Sequence, residues 1–214
     1  MYNPKKNFSK DYFFSRKRSN YFNYNFFDSD WYWRSIVSAI KKYKINGRML
    51  DVGCALGFLL KRVRLYFSEV YGVDISSFAI KRAKKEAPSA KLDVVDIETE
   101  ELPYPDKYFN LITALDFLEH TKSIEQTLAK IIKKLKDNGY LIISVPLNDT
   151  WAGKIHSILD KDLTHISIPS REELFKIINR LKLKILKKSY FLELGLFKLR
   201  GVPAFIEIIL QKNS

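Results

Sequence analysis

Along this chain, short apolar runs of strand length alternate with stretches whose apolar residues recur at helical spacing. Met49 to Val52 is an apolar run that ends in small residues, and Phe58 to Leu60 opens an amphipathic stretch behind it. Glu69 to Ile75 supplies a second strand with an acid, Asp74, at its end. Ser76 to Ala87 begins with hydroxyl cap candidates, continues with good helix formers and stops before Pro88, which predicts a helix. Lys91 to Val95 reads as a third strand and Phe109 to Leu115 as a fourth, with the proline-marked loop Glu101 to Asp106 between them. From Ser123 to Lys136 the residues Ile124, Leu128, Ile131, Ile132 and Leu135 keep near helical period, and Asp137-Asn138-Gly139 closes it. Tyr140 to Val145 is the fifth strand. A helix from Arg171 to Leu181 follows behind the cap Ser170, then two strands, Leu183 to Phe191 and Ala204 to Leu210.

Strands alternating with helices imply an α/β fold with a doubly wound, mostly parallel sheet of seven strands. The last two strands, joined without a helix, imply an antiparallel C-terminal hairpin at one edge. There is no internal repeat.

The turn after the first strand carries chemistry. Gly53, Ala55 and Gly57 leave almost no side chain where the chain reverses, so a charged small molecule can approach the backbone amides that open the next helix. About twenty residues on, Asp74 stands where a ribose diol would be gripped. A nicotinamide cofactor prefers G-x-G-x-x-G, and here those positions read Gly53, Ala55 and Phe58, so the third glycine is missing. No G-x-x-x-x-G-K-[ST] occurs, which argues against a nucleotide triphosphatase.

From Met49 to Val145 the chain resembles a class I S-adenosylmethionine-dependent methyltransferase, with the motifs in order. LDVGCALG resembles the first motif of that family. The resemblance places Asp51 near the methionine end of S-adenosylmethionine, and Gly53, Cys54, Ala55 and Gly57 beside the cofactor. Ala55 departs from the glycine the family often has there, and alanine is small enough to serve. GVDIS resembles the second motif, with Asp74 on the ribose hydroxyls and Ile75 beside it. VVDIE resembles the third, so that Asp96 accepts from the adenine amino group while the Ile97 backbone reads the ring edge. YFNLITALDFLEH resembles the fourth-strand motif bordering the transferred methyl and contains Leu115 and Asp116. S-adenosylmethionine carries no phosphate. Backbone groups and an acid suit its zwitterionic amino acid and sulfonium, whereas a lysine-bearing phosphate loop would not.

At 214 residues the chain can bury one substantial core, and a methyltransferase domain over residues 48–214 behind an aromatic-rich lid segment, residues 1–47, uses all of it. With 46% hydrophobic residues it is too apolar to be disordered, yet no run reaches the length of a membrane span. The first residues, Met1 to Lys6, lead into no apolar signal-peptide core, which predicts a cytoplasmic protein. The single cysteine, Cys54, excludes an internal disulfide and a cysteine-cluster metal site and reads as a small packing residue in the loop.

Two regions outside the alternation are expected to set the substrate. Thirteen of the chain's 3 Trp, 12 Tyr and 15 Phe residues fall by position 33, which reads either as a wall over the site or as packing across a sheet edge. We expect this segment to serve the acceptor and not the cofactor. The second region, Pro146 to Ser167, follows the C-terminal end of the fifth strand, the side on which doubly wound sheets bind ligands. His120, His156 and His165 lie in or near this face. Methyl transfer to an alcohol or phenol needs alignment and a base, for which His120, His165 and Asp116 are the candidates, although His120 also fits a structural role. The histidines lack metal-ligand spacing, so no metal is predicted.

A net charge of +13 raises a nucleic-acid acceptor, with Arg16-Lys17-Arg18 near Tyr12, Phe13 and Phe14 as a candidate patch. The basic residues are spread over helices such as Lys81 to Lys85 and Lys130 to Lys136, where a solvated face accounts for them, so RNA or DNA stands second to a small-molecule or lipid-like acceptor. A catalytically silent binding protein of the same fold is a third reading, against which Gly53, Gly57, Asp74 and Asp96 speak.

Overall fold

The computed structural model describes residues 7–15, 19, 23–194 and 197–214, so the Arg16-Lys17-Arg18 patch lies outside the described residues. Five strands follow the chain in parallel: β1 (Arg48–Val52), β2 (Glu69–Asp74), β3 (Lys91–Val94), β4 (Phe109–Leu115) and β5 (Leu135–Pro146). Three more complete the sheet: β6 (Leu183–Leu194), β7 (Phe197–Arg200) and β8 (Phe205–Lys212). The order is β3-β2-β1-β4-β5-β8-β6-β7, with β8 antiparallel to both β5 and β6. The expected doubly wound sheet is present, and its C-terminal hairpin carries one further strand, β7, paired antiparallel to β6.

Period-two alternation explains why the sheet is covered on both faces. Leu50, Val52 and Ile112 join one core with Leu128 and Ile131 of α5 (Ile124–Lys134) and Leu174 and Ile178 of α7 (Arg171–Arg180). Met49, Leu111 and Ile142 join the other, against α2 (Asp30–Lys42), α3 (Phe58–Val63) and α4 (Ser77–Glu86). A third, smaller core packs Tyr12 and Phe13 of α1 (Lys10–Phe14), Phe27 and Tyr32 onto Leu56, Phe58 and Ala79.

Several boundaries differ from the sequence expectation for local reasons. The Ser29 hydroxyl accepts from the Tyr32 amide, so a helix, α2, begins at Asp30 within the aromatic segment and holds Trp31, Tyr32 and Trp33. Helix α5 ends at Lys134, and Leu135 already pairs with Phe109. The Asp137-Asn138-Gly139 turn, with Asn138 at φ 60°, is an irregularity within β5. Helix α6 (Trp151–Leu159), capped by the Thr150 hydroxyl accepting from Gly153 N at 2.9 Å, stands where the alternation indicated only a connecting segment. Helix α7 starts behind a full capping box, Ser170 with Glu173. No helix among the described residues is long and apolar enough to cross a membrane.

Candidate active site

Three left-handed residues shape the loop after β1: Gly53 at φ 75°, Ala55 at φ 45° and Gly57 at φ 81°. The Gly53 and Cys54 amides donate to the Val73 carbonyl at 2.9 and 3.0 Å, which ties the loop to β2. A Cβ on Gly53 would stand 2.5 Å from Phe117 Cδ2, and one on Gly57 2.9 Å from the Ala83 methyl, so both positions require glycine for space as well as conformation. Ala55 carries its Cβ into the left-handed region, at a cost of about 1–2 kcal/mol.

The acid at the end of β2 is part of this loop. Asp74 Oδ2 accepts from the Ala55 amide at 2.9 Å and Oδ1 from the Ser76 amide at 2.8 Å. Burial pushes its carboxyl up to about 6 against the pull of those two amides. Burial likewise pushes Asp51 up to about 7, opposed by the Thr113 hydroxyl that donates to Oδ1 at 2.6 Å and reinforced by nearby Asp74.

Gly53, Ala55, Asp74, Ile75, Asp96, Ile97 and Leu115 together wall a cavity of about 300 Å³. Gly53, Ala55, Leu115 and Asp116 also border a smaller cavity of about 30 Å³ that reaches Asp51 and Cys54. The two form one course, from Asp96 past Asp74 and the glycine loop to Asp51. Gly57 lines neither; its part is to open α3 and let α4 approach. The donors to Asp51 and Asp74 are a hydroxyl and backbone amides, not basic side chains. Buried carboxylates held in this way, beside a loop with no room for side chains, fit a hydroxyl-bearing ligand with positive charge. That is the chemistry of S-adenosylmethionine, and the residues present fit it.

Asp116 connects this course to a third cavity. Held at φ 48°, it donates its amide to Ser144 O at 3.0 Å, and its Oδ1 accepts from the Ser144 hydroxyl at 2.8 Å. It borders all three cavities. The third measures about 540 Å³ and is walled by Phe27, Trp151, Ile155, Leu192 and Phe205, with Glu119, Glu193, Asp160, His156 and His165 among them. Burial and the charge of Asp116 push Glu193 up to about 7, against Lys198 and the Tyr32 hydroxyl that donates to Oε2 at 2.9 Å.

The candidate bases divide by environment. His120 faces the first cavity, and its Nδ1 lies 3.1 Å from the Thr164 carbonyl, which can only accept, so Nδ1 carries the proton and Nε2 the lone pair. Burial, then the neighbouring His165, lowers His120 to about 4, leaving it neutral near pH 7. His165 faces the third cavity. Burial would lower it too, but the Asp160 carboxylate bonded to Nδ1, with Glu119 and Asp162, outweighs that and pushes it up to about 9. Glu119 is buried with Oε2 unpartnered among the described residues, and burial pushes it up to about 8 against the pull of His165.

Two expectations change. The N-terminal aromatic segment, expected on the acceptor side, puts Phe8, Tyr12, Phe13 and Tyr24 in the wall of the first cavity, with Asp74 and Asp96, and Phe27 alone of its described residues lines the third. Tyr12 is placed there by its hydroxyl, which donates to Asp162 Oδ2 at 2.9 Å. Linear spacing is also a poor guide to the histidines, because the fold brings one ligand-type atom each of Glu119, His120 and His165 within 4.8 Å of one another. Glu193 gave no signal in the sequence. It reaches the site on β6 just beyond the β6–β8 ladder, where it pairs with Lys198 of β7.

A family model described as a methyltransferase domain matches residues 30–188. A ubiquinone biosynthesis O-methyltransferase from Rhodopseudomonas palustris is 27% identical over 154 residues, which cover 66% of this chain and 60% of that protein. The chain thus spans about three-fifths of that relative's length. Among solved structures, a Thermotoga maritima protein given as a possible histamine N-methyltransferase superposes with a TM-score of 0.68 at 21% identity, covering 89% of this chain and 93% of its own. Magnesium protoporphyrin IX methyltransferase from Synechocystis, with bound SAH, superposes at 0.65 and 16% identity over 84% and 81%. The chain belongs to this methyltransferase family, as a class I S-adenosylmethionine-dependent methyltransferase.

Proposed function

We propose that this protein transfers a methyl group from S-adenosylmethionine to an oxygen, nitrogen or carbon atom of a small-molecule or lipid-like acceptor held in the third cavity. S-adenosylmethionine supplies an electrophilic methyl on a sulfonium. Along the first two cavities, Asp96 would accept from the adenine amino group with the Ile97 backbone beside the ring, Asp74 from the ribose hydroxyls, and Asp51 would face the methionine end. The observation that carries the reading is the position of Asp116, which borders both the cofactor course and the acceptor cavity. Its carboxylate would orient the acceptor and take its proton. His120, neutral near pH 7, lines the first cavity and not the third, so it would border the cofactor rather than the acceptor. His165, protonated near pH 7, is better suited to balance the carboxylates of Asp160 and Asp162 than to act as a base.

The same cavity speaks against a nucleic-acid acceptor. Asp116, Glu119, Asp160 and Glu193 stand on its walls, and no lysine or arginine is among the described residues that line it, so a phosphodiester would find no basic side chain there to pair with. The test combines calorimetry with S-adenosylmethionine and methyl-labelled turnover against phenols, amines, lipid-like molecules and RNA. Labelling of an organic-extractable small molecule is expected. Labelling of RNA with steeply salt-dependent affinity would overturn the acceptor assignment, and no binding of S-adenosylmethionine would indicate a silent fold.

A further inference from the structure

Helix α6 is inside out for a surface helix. Its buried residues are Ala152 and Gly153, whereas Trp151 is 65% exposed and Ile158 82%, with Ile155 and Leu159 exposed between and beside them. Positions 151, 155, 158 and 159 fall on one helical face. The loop behind the helix extends that face with Leu163, 79% exposed, and Ile166. Scattered apolar residues on a surface need no explanation, but six within sixteen positions form a patch of the kind that marks an interaction site.

The polar residues of the segment show what kind of partner fits. Both of its acids turn inward. Asp160 is buried against His165, and Asp162 accepts from Tyr12 and Thr164. What faces outward beside the apolar side chains is Lys154, Ser157 and Lys161. An aromatic and aliphatic ridge edged by lysines, with no exposed acid, is the composition of a helix that lies in a bilayer interface. A second copy of this chain is a poorer occupant, since each copy carries +13 and self-association brings like charges together.

We propose that α6 and the loop through Ile166 are the face by which this protein seats on an anionic lipid bilayer. The apolar ridge enters the headgroup boundary and the lysines meet anionic headgroups. Trp151, Ile155 and Leu159 belong both to this face and to the wall of the third cavity, so seating would turn that cavity toward the bilayer. Docking does not depend on the methyl-transfer reading and is measured without turnover.

The experiment is sedimentation of the full chain with vesicles of phosphatidylcholine alone and of phosphatidylcholine mixed with phosphatidylglycerol, at low and high salt. We expect capture by the anionic vesicles, little by the neutral ones, and loss of capture as salt rises. The double variant Ile158→Ser with Leu163→Ser removes apolar surface without changing charge, and neither residue borders a cavity described above. It should bind anionic vesicles at least tenfold less well while keeping the wild-type melting temperature and S-adenosylmethionine affinity. Wild-type protein left in the supernatant with anionic vesicles would overturn the proposal, as would undiminished capture of the variant. A wild-type dimer in ultracentrifugation that the double variant dissociates would assign the face to a second copy instead.

Discussion

The Tyr12 hydroxyl donates to the Asp162 carboxylate across 150 residues of sequence, and this bond fastens the N-terminal aromatic segment to the loop behind α6. Asp162 also accepts from the Thr164 amide, and Thr164 in turn holds His120. The aromatic wall of the first cavity, the proposed cofactor site, and a candidate base therefore share one anchor. Burial, with Asp162 beside it, raises the Tyr12 phenol well above its ordinary range, so the hydroxyl stays a donor at any pH the protein meets.

Tyr12→Phe keeps the ring and deletes the bond. A buried carboxylate then loses one of its donors, at a cost of about 1–3 kcal/mol. We expect a lower melting temperature and a several-fold loss of S-adenosylmethionine affinity, measured by calorimetry. Unchanged affinity would show that the segment does not shape the cofactor cavity.

Asp74 does two jobs, and two substitutions separate them. Its carboxylate holds the Ala55 and Ser76 amides and lines the first cavity, where we propose that the cofactor binds. Asp74→Asn keeps an oxygen for one amide, so its folded state should survive while cofactor affinity falls about 10- to 150-fold, the worth of one charge-assisted hydrogen bond. Asp74→Ala releases both amides and should lower the melting temperature as well. Wild-type affinity in the Asn variant would remove Asp74 from the ribose contact.

The glycine loop offers a test of which small residues are obligatory. Gly53→Ala puts a Cβ 2.5 Å from the Phe117 ring at φ 75°, so strain and displacement combine, and we expect at least about 2 kcal/mol of destabilisation in denaturant unfolding. Ala55→Gly relieves a left-handed alanine but gives the unfolded chain more freedom. These effects are each about 1 kcal/mol and opposed, so the variant should stay close to wild type. Equal responses at the two positions would contradict this account of the loop.

These residues mark what could be read in advance. The turn from Gly53 to Gly57, Asp74 and Asp96 are legible because strand ends, small residues and acids sit at fixed offsets along a local stretch. Glu193, Tyr12 and Thr164 are not, because they meet only through strand pairing and hydrogen bonds between distant segments. Helix α6 has apolar residues at helical spacing, Trp151, Ile155, Ile158 and Leu159, but it lies between a strand and a helix, where strand–helix alternation calls for no further element. The N-terminal aromatics were visible as a cluster, but which cavity they wall is a matter of tertiary placement.

The buried acids set a pH dependence whose sign follows from their direction of shift. Asp51, Glu193 and Glu119 are raised to about 7, 7 and 8, so over this range the folded state holds protons that the unfolded chain has released. Stability from such groups is full below the unfolded carboxylate range and is lost as pH rises through the folded values. His165, raised to about 9, acts in the same direction: its contribution is full below about 6.5 and is lost as pH rises through 9. The lowered imidazoles His120 and His156 oppose this only below about pH 6.5, where the unfolded histidines charge. Between pH 6.5 and 9 the melting temperature of the ligand-free protein should therefore fall steadily. Glu119→Gln replaces one of these acids with a neutral amide of the same shape and should flatten the fall, most visibly between pH 6.5 and 8, below the folded value of Glu119. A melting temperature that rises over this interval, or a Gln variant with the full wild-type slope, would show that Glu119 is ionised in the folded protein throughout.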